Sequence, residues 1–129
     1  MKLSKHFDSR EFDCKCGNCG GLGEYMNPTL INLLEKLRDD CGGYPLKVNS
    51  AYRCYEHNLA VGGASQSQHM YHTAADIACP WELSYDEFYH ACLECELNGK
   101  HFDGVGYYPD SNFVHVDVRY NGYGPRVTW

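Results

Sequence analysis

The seven residues "FVHVDVR", Phe113 to Arg119, constrain this chain more than any other stretch. Strict alternation over this length is the period of a strand. Val114, Val116 and Val118 share one face, and Phe113, His115, Asp117 and Arg119 share the other. Three valines need a covering layer. The opposite face sets an imidazole and a carboxylate about 7 Å apart along the strand. Such a pair on a single exposed strand is usually just solvated, so its meaning depends on what the rest of the chain brings to it.

The covering layer is legible elsewhere. "NPTLINLLEKLRDDCGG" predicts a helix with Asn27 as N-cap, Pro28 at the first helical position and Gly42 after its end. Leu30, Leu33, Leu34, Leu37 and Cys41 form its apolar stripe. A second helix opens at "SYDE", where Ser84 and Glu87 have capping-box spacing, and is expected to run to about Asn98 with Phe88, Cys92 and Cys95 inward. "YPLKVNSAYR" reads as a strand ending near Arg53, and "TAADIA" as a short strand with Ala75 and Ile77 on one side and Asp76 on the other. "GVGYY" pairs with "FVHVDVR" across the turn "PDSN". Residues 1–26 and the glycine-bearing stretch from Cys54 to Tyr71 read as loop. With 129 residues, no repeats and no linker, this order predicts a single α+β domain spanning 1–129, helices packed on a small antiparallel sheet.

Charge and hydropathy exclude some partners. A net charge of −6 without a basic run argues against nucleic acid. No apolar stretch has the length of a membrane span. "MKLSKHFDSREF" lacks the apolar middle of a signal peptide, so the expectation is a soluble monomer without an export address of its own, though a trimmed exported protein would read the same.

Eight cysteines need an explanation. Without a secretion signal, disulfides are not the default. "CKCGNC" (Cys14, Cys16, Cys19) is compatible with a structural zinc knuckle whose fourth ligand is Cys54 or Cys41. Reduced, partly buried thiols are the plainer alternative. Cys92 and Cys95 read as core.

A second polar cluster, "SQHMYHTAAD", lies far from the valine strand in sequence. His69 comes from a loop entering a strand, Asp76 projects from that strand, and His115 from another. Two imidazoles and a carboxylate brought together by a sheet are the ligand set of a catalytic zinc with its fourth position open.

The ordered stretches "EFDCKCG", "VNSAYRCYEHNLAVGGASQSQH", "HMYHTAAD" and "DGVGYYPDSNFVHVDVR", with a final "R-x-x-W", resemble the zinc D-alanyl-D-alanine carboxypeptidase family of cell-wall metallopeptidases. Phage L-Ala-D-Glu endolysins, D-Ala-D-Ala dipeptidases and the hedgehog domain are related to that family. The resemblance implies a catalytic Zn²⁺ on His69, Asp76 and His115, with Arg53 over the site to hold an oxyanion or a substrate carboxylate. It gives Ser67 a positioning role and makes a peptidoglycan stem peptide the substrate, reached at the cell wall after cytoplasmic synthesis. Several relatives carry an acidic base where this chain has Asn112. Asp117 is the best replacement, as base or as partner to the ligand, ahead of Glu56 and Asp110. His72 stands where the family more often has glycine and reads as an exposed loop histidine, with substrate contact as the alternative. The competing function is a zinc-containing module that binds cell-wall peptides without cutting them.

Overall fold

A computed structural model describes all 129 residues. Its centre is a five-stranded sheet in the order β1-β2-β6-β5-β7. The strands are β1 Val48–Ser50, β2 Ala74–Ala78, β5 Gly104–Tyr108, β6 Phe113–Asp117 and β7 Val127–Thr128. A separate two-stranded hairpin is made by β3 Glu96–Leu97 and β4 Lys100–His101. The helices are α1 Pro28–Asp40, α2 Tyr55–Ala60 and α3 Tyr85–Glu94.

The valine face of β6 is the floor of the core, with Val114 and Val116 fully buried. Ala75 and Ile77 of β2 and Val105 of β5 extend that floor sideways. α1 and α3 cover it with Leu30, Leu33, Leu34, Leu37, Phe88 and Cys92, all inaccessible to solvent or nearly so. The cluster counts 22 buried residues and is continuous, as one core requires. Both caps form as the sequence predicts. The Asn27 side chain accepts from the Thr29 amide at 2.8 Å, and Ser84 and Glu87 accept from each other's amides at 3.1 and 2.9 Å.

Four features depart from the sequence reading. The stretch after Cys54, read as loop, holds α2. Its buried face is a single polar residue, Asn58, so hydrophobic periodicity had nothing to display. Asn58 donates to the Ala64 carbonyl at 2.9 Å, and a side chain at Gly63 would overlap the Asn58 amide, which gives the "VGG" its physical reason.

α3 stops at Glu94, not near Asn98, because Asn98 (φ 53°) and Gly99 (φ 80°) make the tight turn of the β3–β4 hairpin. Two consecutive positive φ values are the mark of a type I′ turn, for which Asn-Gly is the preferred pair. β1 is only three residues long. Finally, the sheet is antiparallel across four strands, but β7 joins β5 in parallel at the edge. No helix is long and apolar enough to cross a membrane.

Leu34 is fully buried, so Leu34→Ala is expected to lower unfolding free energy in urea by about 2–5 kcal/mol. Trp81, 91% exposed, is the control. Its alanine variant is expected to stay within about 0.5 kcal/mol.

Candidate metal centre

Pairing β2 with β6 places Asp76 directly opposite His115. Such cross-strand neighbours are about 5 Å apart at Cβ, although 39 residues separate them in sequence. His69 arrives from the other side, in a one-turn helix, Gln68–Tyr71, capped by Ser67, whose Oγ accepts from the His69 amide at 3.2 Å. The His69 and His115 rings meet edge to face at 5.1 Å. His69 Nε2 lies 3.2 Å and His115 Nδ1 lies 3.1 Å from the same oxygen, Asp76 Oδ1.

The outer nitrogens fix the tautomers. His69 Nδ1 is 2.6 Å from the Ala51 carbonyl, which can only accept, so Nδ1 carries the hydrogen. His115 Nε2 lies 2.8 Å from Asp117 Oδ2 and donates to it. In the neutral rings, His69 Nε2 and His115 Nδ1 therefore turn lone pairs toward a carboxylate oxygen. Three electron-rich atoms converge on one point, an arrangement that needs a cation or an extra proton between them. With atoms of all three side chains within 4.8 Å of one another, the residues fit a divalent ion held by two imidazoles and a carboxylate.

The charge balance carries the same signature. Burial would raise the Asp76 carboxyl, but once the rings carry an extra proton, hydrogen bonds from His115 and His69 pull it well below the usual carboxylate range. Burial would lower His115, yet Asp117 and Asp76 together raise its affinity for a proton. Asp117 is itself held at about 2, the bonds from His115 and Arg119 outweighing its burial.

Asp117 is fully buried and both oxygens are engaged. Oδ1 accepts from the Arg119 amide and Nε at 3.1 and 2.9 Å. Oδ2 accepts from His115 and from Arg119 Nη2, the latter at 2.7 Å. Gly104 faces it across the β5–β6 pair, and a side chain there would overlap the carboxylate.

A cleft of about 480 Å³ opens over His69, Asp76 and His115. Arg53 lines it and donates from Nη2 to Ser67 Oγ at 3.1 Å, while its buried Nε has no partner. No carboxylate pairs with this guanidinium. The Arg53 amide donates to the His69 carbonyl at 3.1 Å, so Arg53, Ser67 and His69 form one interlocked unit.

The opposite wall is aromatic. Trp129 lies 4.9 Å from the His115 ring and donates from Nε1 to the Tyr108 hydroxyl at 2.7 Å. Arg119 stacks on its indole at 5.2 Å, and Tyr108 stacks on Phe113 at 4.8 Å.

The structure thus brings together Arg53, Ser67, His69, Asp76 and His115, with Asp117 directly behind. His72 is elsewhere. It is neither in the cleft nor freely exposed, but stacks flat on Tyr52 at 3.9 Å, with Nε2 donating to the Leu22 carbonyl. Its φ of 61° lies in the left-handed region that favours glycine, so the histidine holds a backbone conformation that side-chain-bearing residues seldom adopt. Asn112 is likewise a turn residue with φ 57°, exposed and outside the cleft; Glu56 and Asp110 are outside it too. Gln66, Gln68, Tyr108, Arg119 and Trp129 also line the cleft, although the metal-ligand pattern does not single them out. For Trp129 the signal was the "R-x-x-W" ending, whose meaning depends on β7 pairing.

An α+β sheet that presents two histidines and an aspartate to an open cleft, beside an unpaired cation, is the layout of a metallopeptidase. The chain matches the Peptidase M15 family over residues 5–117 and belongs to it. Comparison with curated proteins gave no significant match.

Asp117→Asn is expected to weaken divalent-metal affinity about 10–100-fold in chelator competition, because the His115 ring loses its anionic anchor. Unchanged affinity contradicts that role.

The pH dependence follows from the raised His115. Its contribution to the metal-free fold is present below the ordinary value of 6.5 and disappears as pH rises through the folded value. The depressed Asp76 and Asp117 contribute the reverse, lost only as pH falls below 3.8. Chelator-treated protein is therefore expected to melt at lower temperature as pH rises above about 6.5, while the stabilisation gained on adding zinc grows. Parallel, flat profiles contradict it.

Proposed function

We propose that the protein is a zinc-dependent peptidase that hydrolyses a peptide bond in peptidoglycan stem peptides, as a carboxypeptidase or an endolysin-type endopeptidase. The observation that carries this reading is the convergence of His69 Nε2, Asp76 Oδ1 and His115 Nδ1 at the base of a cleft beside an unpaired Arg53. His69, Asp76 and His115 would hold the ion, which when bound supplies Lewis acidity and an acidified water.

The remaining residues bind and orient. Arg53, with no internal anion to neutralise it, suits the carboxylate of a stem peptide or the oxyanion that develops at the scissile carbonyl. Ser67 holds that guanidinium and the start of the His69 turn in register. Asp117 is engaged on both oxygens, which supports its role as the partner that orients His115 rather than as a proton acceptor. Tyr108, Phe113 and Trp129 form the wall against which the apolar parts of a short peptide can lie.

The second reading, a metal-containing module that binds such peptides without cutting them, has one observation in its favour. Asp76 is the only carboxylate lining the cleft, so a general base other than a ligand has to come from substrate or solvent.

Incubating the zinc-loaded protein with a synthetic pentapeptide stem and weighing the products separates the two. Loss of a terminal D-Ala identifies a carboxypeptidase, and an internal cut an endopeptidase. Intact peptide that is nonetheless retained on the protein supports the module. Arg53→Ala is expected to lower kcat/KM by about 10²–10³-fold, and His115→Ala to abolish turnover.

A further inference from the structure

The second convergent set lies outside the cleft. Cys14, Cys16, Cys19 and Cys54 place their sulfur atoms within 4.8 Å of one another, although the last is 38 residues from Cys16. We propose that these four cysteines hold a second, structural zinc ion that clips the N-terminal segment to the loop carrying Arg53.

Spacing separates a thiolate site from a crosslink. Cys54 Sγ and Cys16 Sγ are 3.7 Å apart. A disulfide needs about 2.05 Å, whereas the edge of a zinc tetrahedron with Zn–S of about 2.3 Å is about 3.8 Å. All eight cysteines are free.

Backbone amides also point at the sulfurs. The Cys54 amide donates to Cys14 Sγ at 3.4 Å and the Asn18 amide to Cys16 Sγ at 3.3 Å. Amides directed at sulfur stabilise thiolate over thiol, the protonation state that a metal requires.

The other four cysteines show what a core thiol looks like here. Cys41, Cys79, Cys92 and Cys95 sit in the hydrophobic cluster. They lie among apolar side chains and do not converge into a set of ligand atoms, as the first four do.

Four sulfur ligands close the coordination shell, which marks a structural ion. The segment it would hold has little else. Residues 13–22 contribute one residue, Cys14, to the buried set. The Cys14 amide bonds the Gly21 carbonyl at 2.9 Å, closing a loop around the sulfurs. Cys54 follows Arg53 directly and sits at the N-cap position of α2, so an ion here anchors the backbone from which Arg53 reaches the cleft.

The test uses the full chain, purified under reducing conditions, and does not depend on the peptidase reading. Metal content is measured for wild type, for His69→Ala/His115→Ala and for Cys16→Ser/Cys19→Ser. Each double variant is expected to lose about one zinc per chain relative to wild type. Cobalt(II) bound to the histidine variant is expected to show intense thiolate-to-metal absorption. Should the cysteine variant fail to fold, blocking wild-type thiols with a mercurial reagent replaces it, with zinc release expected as the thiols are consumed. Trypsin cleavage after the exposed Lys15 is expected to accelerate once that zinc is gone. Wild-type zinc content in a folded cysteine variant overturns the proposal. So does iron in place of zinc, or an intact mass of unreduced protein below that of the reduced chain.

Discussion

The β2–β6 register is the constraint on which the rest of the molecule depends. It sets Asp76 opposite His115 and Ile77 opposite Val114. One face of the pair is thereby all core, and the other carries Asp76, His115 and Asp117. A slip of one residue would turn the valines into the cleft and the histidine into the leucines of α1 and α3. The hydrophobic core therefore specifies the geometry of the polar site. Burying Val114, Val116 and Ile77 stabilises the one register in which two candidate ligands meet.

Around that register the fold has removed side chains wherever the polar groups need room. Gly104 yields its space to the Asp117 carboxylate, and Gly106, paired with His115, yields its own to Trp129. Buried Asp103 accepts from the amides of Tyr120, Gly122 and Gly124 and so organises the chain that returns as β7 and delivers Trp129. These buried carboxylates are not burdens on stability in the usual sense, because every oxygen has a donor. Asp76 differs. It faces two nitrogens whose hydrogens are committed elsewhere, and that mismatch is the physical trace of a cation.

Much of this was legible in the sequence, and the limits follow from the kind of signal each element carries. α1, α3 and the Val face of β6 are written in apolar periodicity and in caps, so they formed as read. α2 is not, since its sole buried residue is polar and its support comes from the Gly63 loop. The β3–β4 turn carries its own signal, Asn98-Gly99, but it follows the helical pattern of α3 so closely that the sequence shows no break between them. At the site, residue type and the order of motifs pointed to His69, Asp76 and His115. Only coordinates could show that Asp117 is held on both oxygens, or that His72 turns away to stack on Tyr52. A left-handed backbone angle leaves no mark in a single sequence beyond the residue that tolerates it, as at His72 and Asn112.

The central claim is that one ion sits between three atoms of three separate segments. Anomalous diffraction from crystals grown with zinc, measured on both sides of the zinc edge, tests it most directly. The account predicts a peak about 2.0–2.2 Å from His69 Nε2, His115 Nδ1 and a carboxylate oxygen of Asp76, with the fourth direction open to the cleft. A zinc-saturated crystal with no peak there, or with the ion bound through His115 Nε2, would contradict it.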